Sequence, residues 1–139
     1  MDNQTEVLEI NKYICSQLWV DFEVVCYNQE RLVIRGGVDL LYGYDIEITF
    51  ENVFAVQGKF SWTISGDKVE KVVHLLYDVF DNRDMLLNIQ PETGYHLFSF
   101  KIDNDIGERE LFFYVFAESV HFCKTKSNCL NNEGNSEVT

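Results

Sequence analysis

The chain has 139 residues, enough for one domain that buries roughly two-thirds of the surface its unfolded form exposes, so no disulfide or metal staple is required. Hydrophobic residues make up 46% and aromatics 14%, with a single proline, which excludes a disordered chain and favours strands. Eleven Lys and Arg against 23 Asp and Glu give a formal net charge of −12, which argues against nucleic acid and anionic membranes as partners and for basic proteins.

The N-terminal stretch lacks the basic segment, apolar core and small-residue cleavage site of a signal peptide. No apolar run approaches the roughly 18 residues of a membrane span, so a cytoplasmic location is expected. The four cysteines, at 15, 26, 123 and 129, contain no C-x-x-C pair and are expected to stay reduced. Cys15 and Cys26 lie among apolar residues and read as small core side chains.

In chain order, Val7, Ile10, Ile14 and Leu18 recur at helical spacing behind Thr5 as a cap, which predicts an amphipathic helix over 5–19, its apolar face widened by Leu8, Tyr13 and Trp19. From Val20 the period changes to two. Phe22, Val24 and Cys26, then Arg31 to Arg35, flank the turn Asn28-Gln29-Glu30 and predict a hairpin that Gly36-Gly37 ends.

Tyr42, Tyr44, Ile46, Ile48 and Phe50 alternate with Asp45, Glu47, Thr49 and Glu51, the pattern of a strand with one apolar and one acidic face. Val53 to Val56 reads either as its continuation past a bulge or as a short separate strand. Phe60, Trp62 and Ile64 mark another half-buried strand. Over 66–80, Val69, Val72, Val73, Leu76, Val79 and Phe80 fall at steps of three and four, predicting a second helix that its β-branched residues weaken.

Met85 to Ile89 is a short apolar strand, and Pro91-Glu92-Thr93-Gly94 a turn. Tyr95 to Ile102 and Glu110 to Ala117 form a second hairpin. Leu111 to Phe116 is apolar at both parities, as for a strand covered on both faces, and Val120 to Cys123 reads as one strand more. The fold class expected is α+β: an antiparallel, meandering, curved sheet of six to eight strands with an N-terminal and a mid-chain helix. Residues 1–124 form the domain and 125–139 a disordered polar tail.

Asp45, Glu47 and Glu51 share a strand face and form a candidate acidic strip that receives Lys or Arg from a partner. Charge reversal at Glu47 is then expected to slow association without altering the melting temperature. The competing reading is a solvated face paired across strands with Arg31, Arg35, Lys59 or Lys101. Asp39 and the loop with Asp103, Asp105 and Glu108 add to the candidate surface. That loop does not fit a calcium site, since counted from Asp103 the sixth position is Glu108 and the twelfth Tyr114, where an EF-hand needs Gly and a carboxylate.

His121 and Cys123 put two ligand types on one strand face, but a zinc site needs at least one further closely spaced pair and His74 and His96 supply none, so no metal or cofactor is expected. G-x-S-x-G, Walker, G-x-G-x-x-G and H-E-x-x-H motifs are absent, and the sequence leans away from an enzyme.

The pattern from Gly36-Gly37 through Asp45-Ile46-Glu47-Ile48-Thr49-Phe50-Glu51-Asn52-Val53, with Trp62 following, resembles small acidic bacterial immunity proteins found beside polymorphic toxins. The resemblance spans residues 20–65 and transfers no individual binding residue. It implies a non-catalytic protein that neutralises a toxin by occluding a basic surface. The alternative is a small ligand-binding domain or enzyme with an aromatic-lined pocket in the concave face of the sheet.

Overall fold

Strand alternation gives most of this molecule one face to bury, and the bulges decide where that face changes side. The computed structural model describes residues 2–28, 30–41, 43–65, 73–76, 96–102 and 111–125. Among them a helix, α1 (Asn3–Cys15), precedes β1 (Trp19–Tyr27), β2 (Arg31–Gly37), β3 (Ile46–Gln57), β4 (Ser61–Ser65), β5 (Val73–Leu76), β6 (His96–Ile102) and β7 (Leu111–Lys124). The strands form one sheet in the order β4-β1-β2-β3-β7-β6-β5, antiparallel at every pairing. The architecture is α+β, and no helix among the described residues is long and apolar enough to cross a membrane.

Val20 and Phe22 of β1, Leu32 and Ile34 of β2, Ile46, Ile48 and Phe50 of β3, and Trp62 and Ile64 of β4 all point inward. They meet Phe98, Phe100, Phe113 and Val115 from β6 and β7, and Val7, Ile10 and Ile14 from α1, in one core. The sheet is strongly curled. At the usual strand spacing β4 would lie ~19 Å from β7 in a flat sheet, four strands away. Yet the Trp62 ring stacks on Phe113 with centroids 4.4 Å apart and meets Phe100 at 5.5 Å. Gly36 leaves room for the curl, because a Cβ there would stand 2.8 Å from the Phe22 ring, which itself stacks on Trp62.

β3 runs on through Asn52, whose φ of 54° is a left-handed conformation that asparagine tolerates, and past a bulge between Val53 and Ala55. The bulge resets the alternation, so Val53 and Val56 reach the same core as Ile46, Ile48 and Phe50. Phe54 and Ala55 turn to the other face, against a second cluster of Leu97, Tyr114 and Phe116. β7 is therefore apolar on both faces over 112–116, as its sequence predicts.

The helix starts earlier and ends earlier than its apolar spacing suggests. Asp2 caps it, its Oδ1 accepting from the Thr5 N–H at 2.8 Å, and the chain leaves it at Ser16. Its first turn points polar side chains into the sheet, which an apolar count passes over. Beyond the His96–Ala117 pair of β6 and β7, α1 takes over as the neighbour of β7. Asn3 there mimics a strand amide: its Nδ2 donates to the Glu118 carbonyl and its Oδ1 accepts from the Val120 N–H, both at 3.0 Å. Buried Glu6 accepts from the Phe122 N–H at 2.6 Å.

Other expectations fail. Val73–Leu76, assigned to a helix over 66–80, is the strand β5, paired with Leu97–Phe100. Val73 is β-branched and prefers a pleated surface, and sheet pairing overrides the three- and four-residue spacing. The remainder of 66–80, the strand at Met85 to Ile89, the 103–108 loop and the tail from 126 lie outside the described residues. Val120 to Cys123 is the far end of β7 rather than a further strand. Cys15 and Cys26 are exposed, Cys15 because it falls outside the buried face of α1 and Cys26 because a bulge after Val24 turns it outward. Cys123 is disulfide-bonded, against the expectation that every thiol stays reduced.

Removing both polar staples, Asn3→Ala with Glu6→Ala, strands two buried donors on β7. It is expected to accelerate hydrogen exchange at the Val120 and Phe122 amides and to cost about 1–3 kcal/mol for each, read by NMR and urea denaturation.

Candidate functional site

The outer face of β1, β2, β3 and β7 holds an open groove of about 490 Å³. Register builds it row by row. The middle row runs Cys26, Val33, Thr49 and His121, flanked by a row of Arg35, Glu47 and Cys123 and a row of Arg31, Glu51 and Ser119.

Both glutamates of the expected acidic strip are thereby paired. Arg35 Nε donates to Glu47 Oε2 at 3.1 Å, and Arg31 lies 3.4 Å from Glu51. The Arg35 guanidinium also sits 4.2 Å over the Tyr44 ring, so it is held from two sides. Two arginines and two glutamates cancel within the groove, and His121 is exposed at its rim. The sequence carried a signal for this: Arg31 and Arg35 are four residues apart, as are Glu47 and Glu51, so one antiparallel register pairs both at once.

Asp45 does not join that face. β3 begins at Ile46, and Asp45 is fixed outside it, its N–H donating to the Gly36 carbonyl at 2.8 Å and its own carbonyl accepting from the Thr125 N–H at 3.0 Å. Its carboxylate accepts from the Tyr13 hydroxyl of α1 at 3.1 Å. Burial first, then the Asp45 charge and that hydrogen bond, hold the Tyr13 hydroxyl well above the ordinary tyrosine value of 10.0.

Asp39 follows β2 on the same end of the sheet, exposed, its Oδ1 accepting from the Leu41 N–H at 3.1 Å in an Asx turn. Among the described residues no ion pair includes Asp39 or Asp45. Asp103, Asp105 and Glu108 lie outside the described residues.

Of the expected site residues that are described, Glu47 and Glu51 lie in the groove, and Asp39 and Asp45 lie at the end where β2 finishes and Tyr13 of α1 reaches Asp45. Among the described residues no three His, Cys, Asp or Glu side chains converge to hold a metal ion. The fold and the two surfaces define the chain as an α+β domain with a strongly curled antiparallel sheet. Compared with known proteins, it matches no family model, no curated protein and no solved structure.

Pairing changes what a charge reversal reports. The Glu47 side chain is 12% exposed, so Glu47→Lys sets a cation against Arg35 in a shielded place and is expected to cost about 1–3 kcal/mol. Glu51, at 31%, is more open to water, and Glu51→Lys should cost less than about 1 kcal/mol by urea denaturation.

Tyr13 gives a second expectation, with its sign fixed by the direction of its shift. The folded state keeps this proton where the unfolded chain releases it. Its contribution is thus whole below pH 10 and is lost as pH rises toward the folded value. Tyr13→Phe should flatten the alkaline loss of stability above pH 10; an unchanged slope would contradict this.

Proposed function

We propose that this protein is a non-catalytic binding protein that docks a basic partner, of the toxin-neutralising kind that its Gly36 to Trp62 pattern resembles. The observation that supports it is the placement of unpaired carboxylates on a rigid support. Asp39 and Asp45 are exposed, free of ion pairs among the described residues and fixed by hydrogen bonds before any partner arrives. Preorganised charge of this kind speeds encounter and avoids an ordering cost on binding. The net charge of −12 extends the attraction beyond contact distance.

Glu47 and Glu51 take a different part in this reading from the one their spacing suggests. Held by Arg35 and Arg31, they form a charge-balanced lattice that orients a partner rather than a row of free anions. The alternative of a ligand pocket in the concave face has less support, since Phe22, Trp62, Phe98, Phe100 and Phe113 fill the inner side of the sheet. The outer groove, within the volume range of small-molecule sites, is the observation in favour of a ligand-binding alternative.

Affinity capture from the native source followed by kinetics tests the reading. The captured partner is expected to carry net positive charge, and its association to slow by roughly tenfold between low and high salt. Asp39→Asn keeps the Asx hydrogen bond and removes only the charge, so it should slow association about two- to threefold and leave the melting temperature unchanged. A salt-independent association rate would end the proposal.

A further inference from the structure

The surplus carboxylates share their end of the sheet with exposed apolar side chains that the proposed function does not use. Leu18 is 70% exposed, Trp19 44%, Val38 39% and Leu41 90%. Leu18 and Trp19 lie where the chain passes from α1 into β1, and Val38 and Leu41 lie where it leaves β2. The Asp21–Gly37 pairing brings these two passages side by side.

The indole is fixed there, because Trp19 Nε1 donates to the Val38 carbonyl at 3.2 Å. A tryptophan that is half in water and already immobilised is the kind of side chain that anchors an interface at little ordering cost. Asp39 lies between Val38 and Leu41 in sequence and holds the Leu41 N–H, while Asp45 approaches Gly37, the residue before Val38. The patch is thus apolar at its centre and acidic at its edge.

We propose that Leu18, Trp19, Val38 and Leu41 form the docking site for a cationic amphipathic segment of a partner protein, its apolar side chains on Trp19 and Leu41 and its Lys or Arg side chains on Asp39 and Asp45. This deepens the proposed function and rests on it for the sign of the partner's charge. Charge selects the occupant. A second copy of this chain would bring −12 against −12, and an anionic lipid surface would repel the same carboxylates. A cationic segment meets both the apolar centre and the acidic edge.

Trp19 is its own reporter, because the other tryptophan, Trp62, is only 6% exposed and packed among phenylalanines. The probe is a short synthetic helical peptide with a leucine face and a lysine face, titrated against the full chain while tryptophan emission is followed. The expected result is a blue shift, with affinity roughly tenfold above that of matched peptides carrying Glu for Lys or Ser for Leu. Leu41→Ser and Leu18→Ser should each weaken binding roughly fivefold or more.

Phe60→Ser, at a side chain 68% exposed at the far end of β1 and β4, should leave binding unchanged. Equal loss on Phe60→Ser, or indifference to Leu41→Ser, would overturn the proposal, as would a blue shift that follows protein concentration alone with a doubled mass in light scattering. A natural partner that is basic and salt-sensitive yet indifferent to Leu41→Ser would remove this patch and leave the proposed function standing.

Discussion

Trp62 reaching across the sheet is the contact on which the rest of the structure depends. It sits on the strand at one edge, and its ring stacks on Phe113 and meets Phe100, which belong to strands four and five places away. Those contacts exist only because the sheet curls, and the curl in turn requires that nothing stand on Gly36 where Phe22 crosses it. Each buried aromatic contributes on the order of 1.5–3 kcal/mol by burial, and each ring pair adds about 0.5–1.5 kcal/mol. A flatter sheet would forfeit several of these terms together. Among the described residues the inner side of the sheet is therefore occupied by the protein's own rings.

Much of this could be read from the residues. The alternation in Val20 to Cys26, Ile46 to Phe50 and Trp62 to Ile64 predicts strands that exist, and the double-sided apolar run at 112–116 marks a strand packed on both faces. Where the sequence misleads, a competing physical factor explains it. At Val73–Leu76 a spacing compatible with a helix lost to sheet pairing with β6. At Asn3 and Glu6 polar side chains do the docking, and apolar periodicity carries no trace of them.

The candidate site was legible in its residues and not in its geometry. Glu47 and Glu51 share a face as their parity requires, but Asp45 leaves it because the strand starts one residue later and Tyr13 arrives from α1. Whether a carboxylate on a strand is free or paired depends on the register of its neighbour, and register is a long-range property. The equal spacing of the two arginines and the two glutamates contained that answer once the hairpin was granted.

These placements separate carboxylates that the strand spacing alone would have kept in one row. The charge on the outer face is spent on cohesion between β2 and β3, while the exposed carboxylates of Asp39 and Asp45 lie elsewhere. α1 covers the stretch of β7 beyond its pairing with β6, so this part of the strand is closed to the addition of another strand. At the end where α1 gives way to β1, Leu18, Trp19, Val38 and Leu41 are exposed. Asp45 ties Tyr13 of the helix to Gly36 of β2 and Thr125 after β7, so three parts of the chain meet at one residue. Hydrogen bonds from three directions fix that junction, so its carboxylate is held in place with little freedom left to lose.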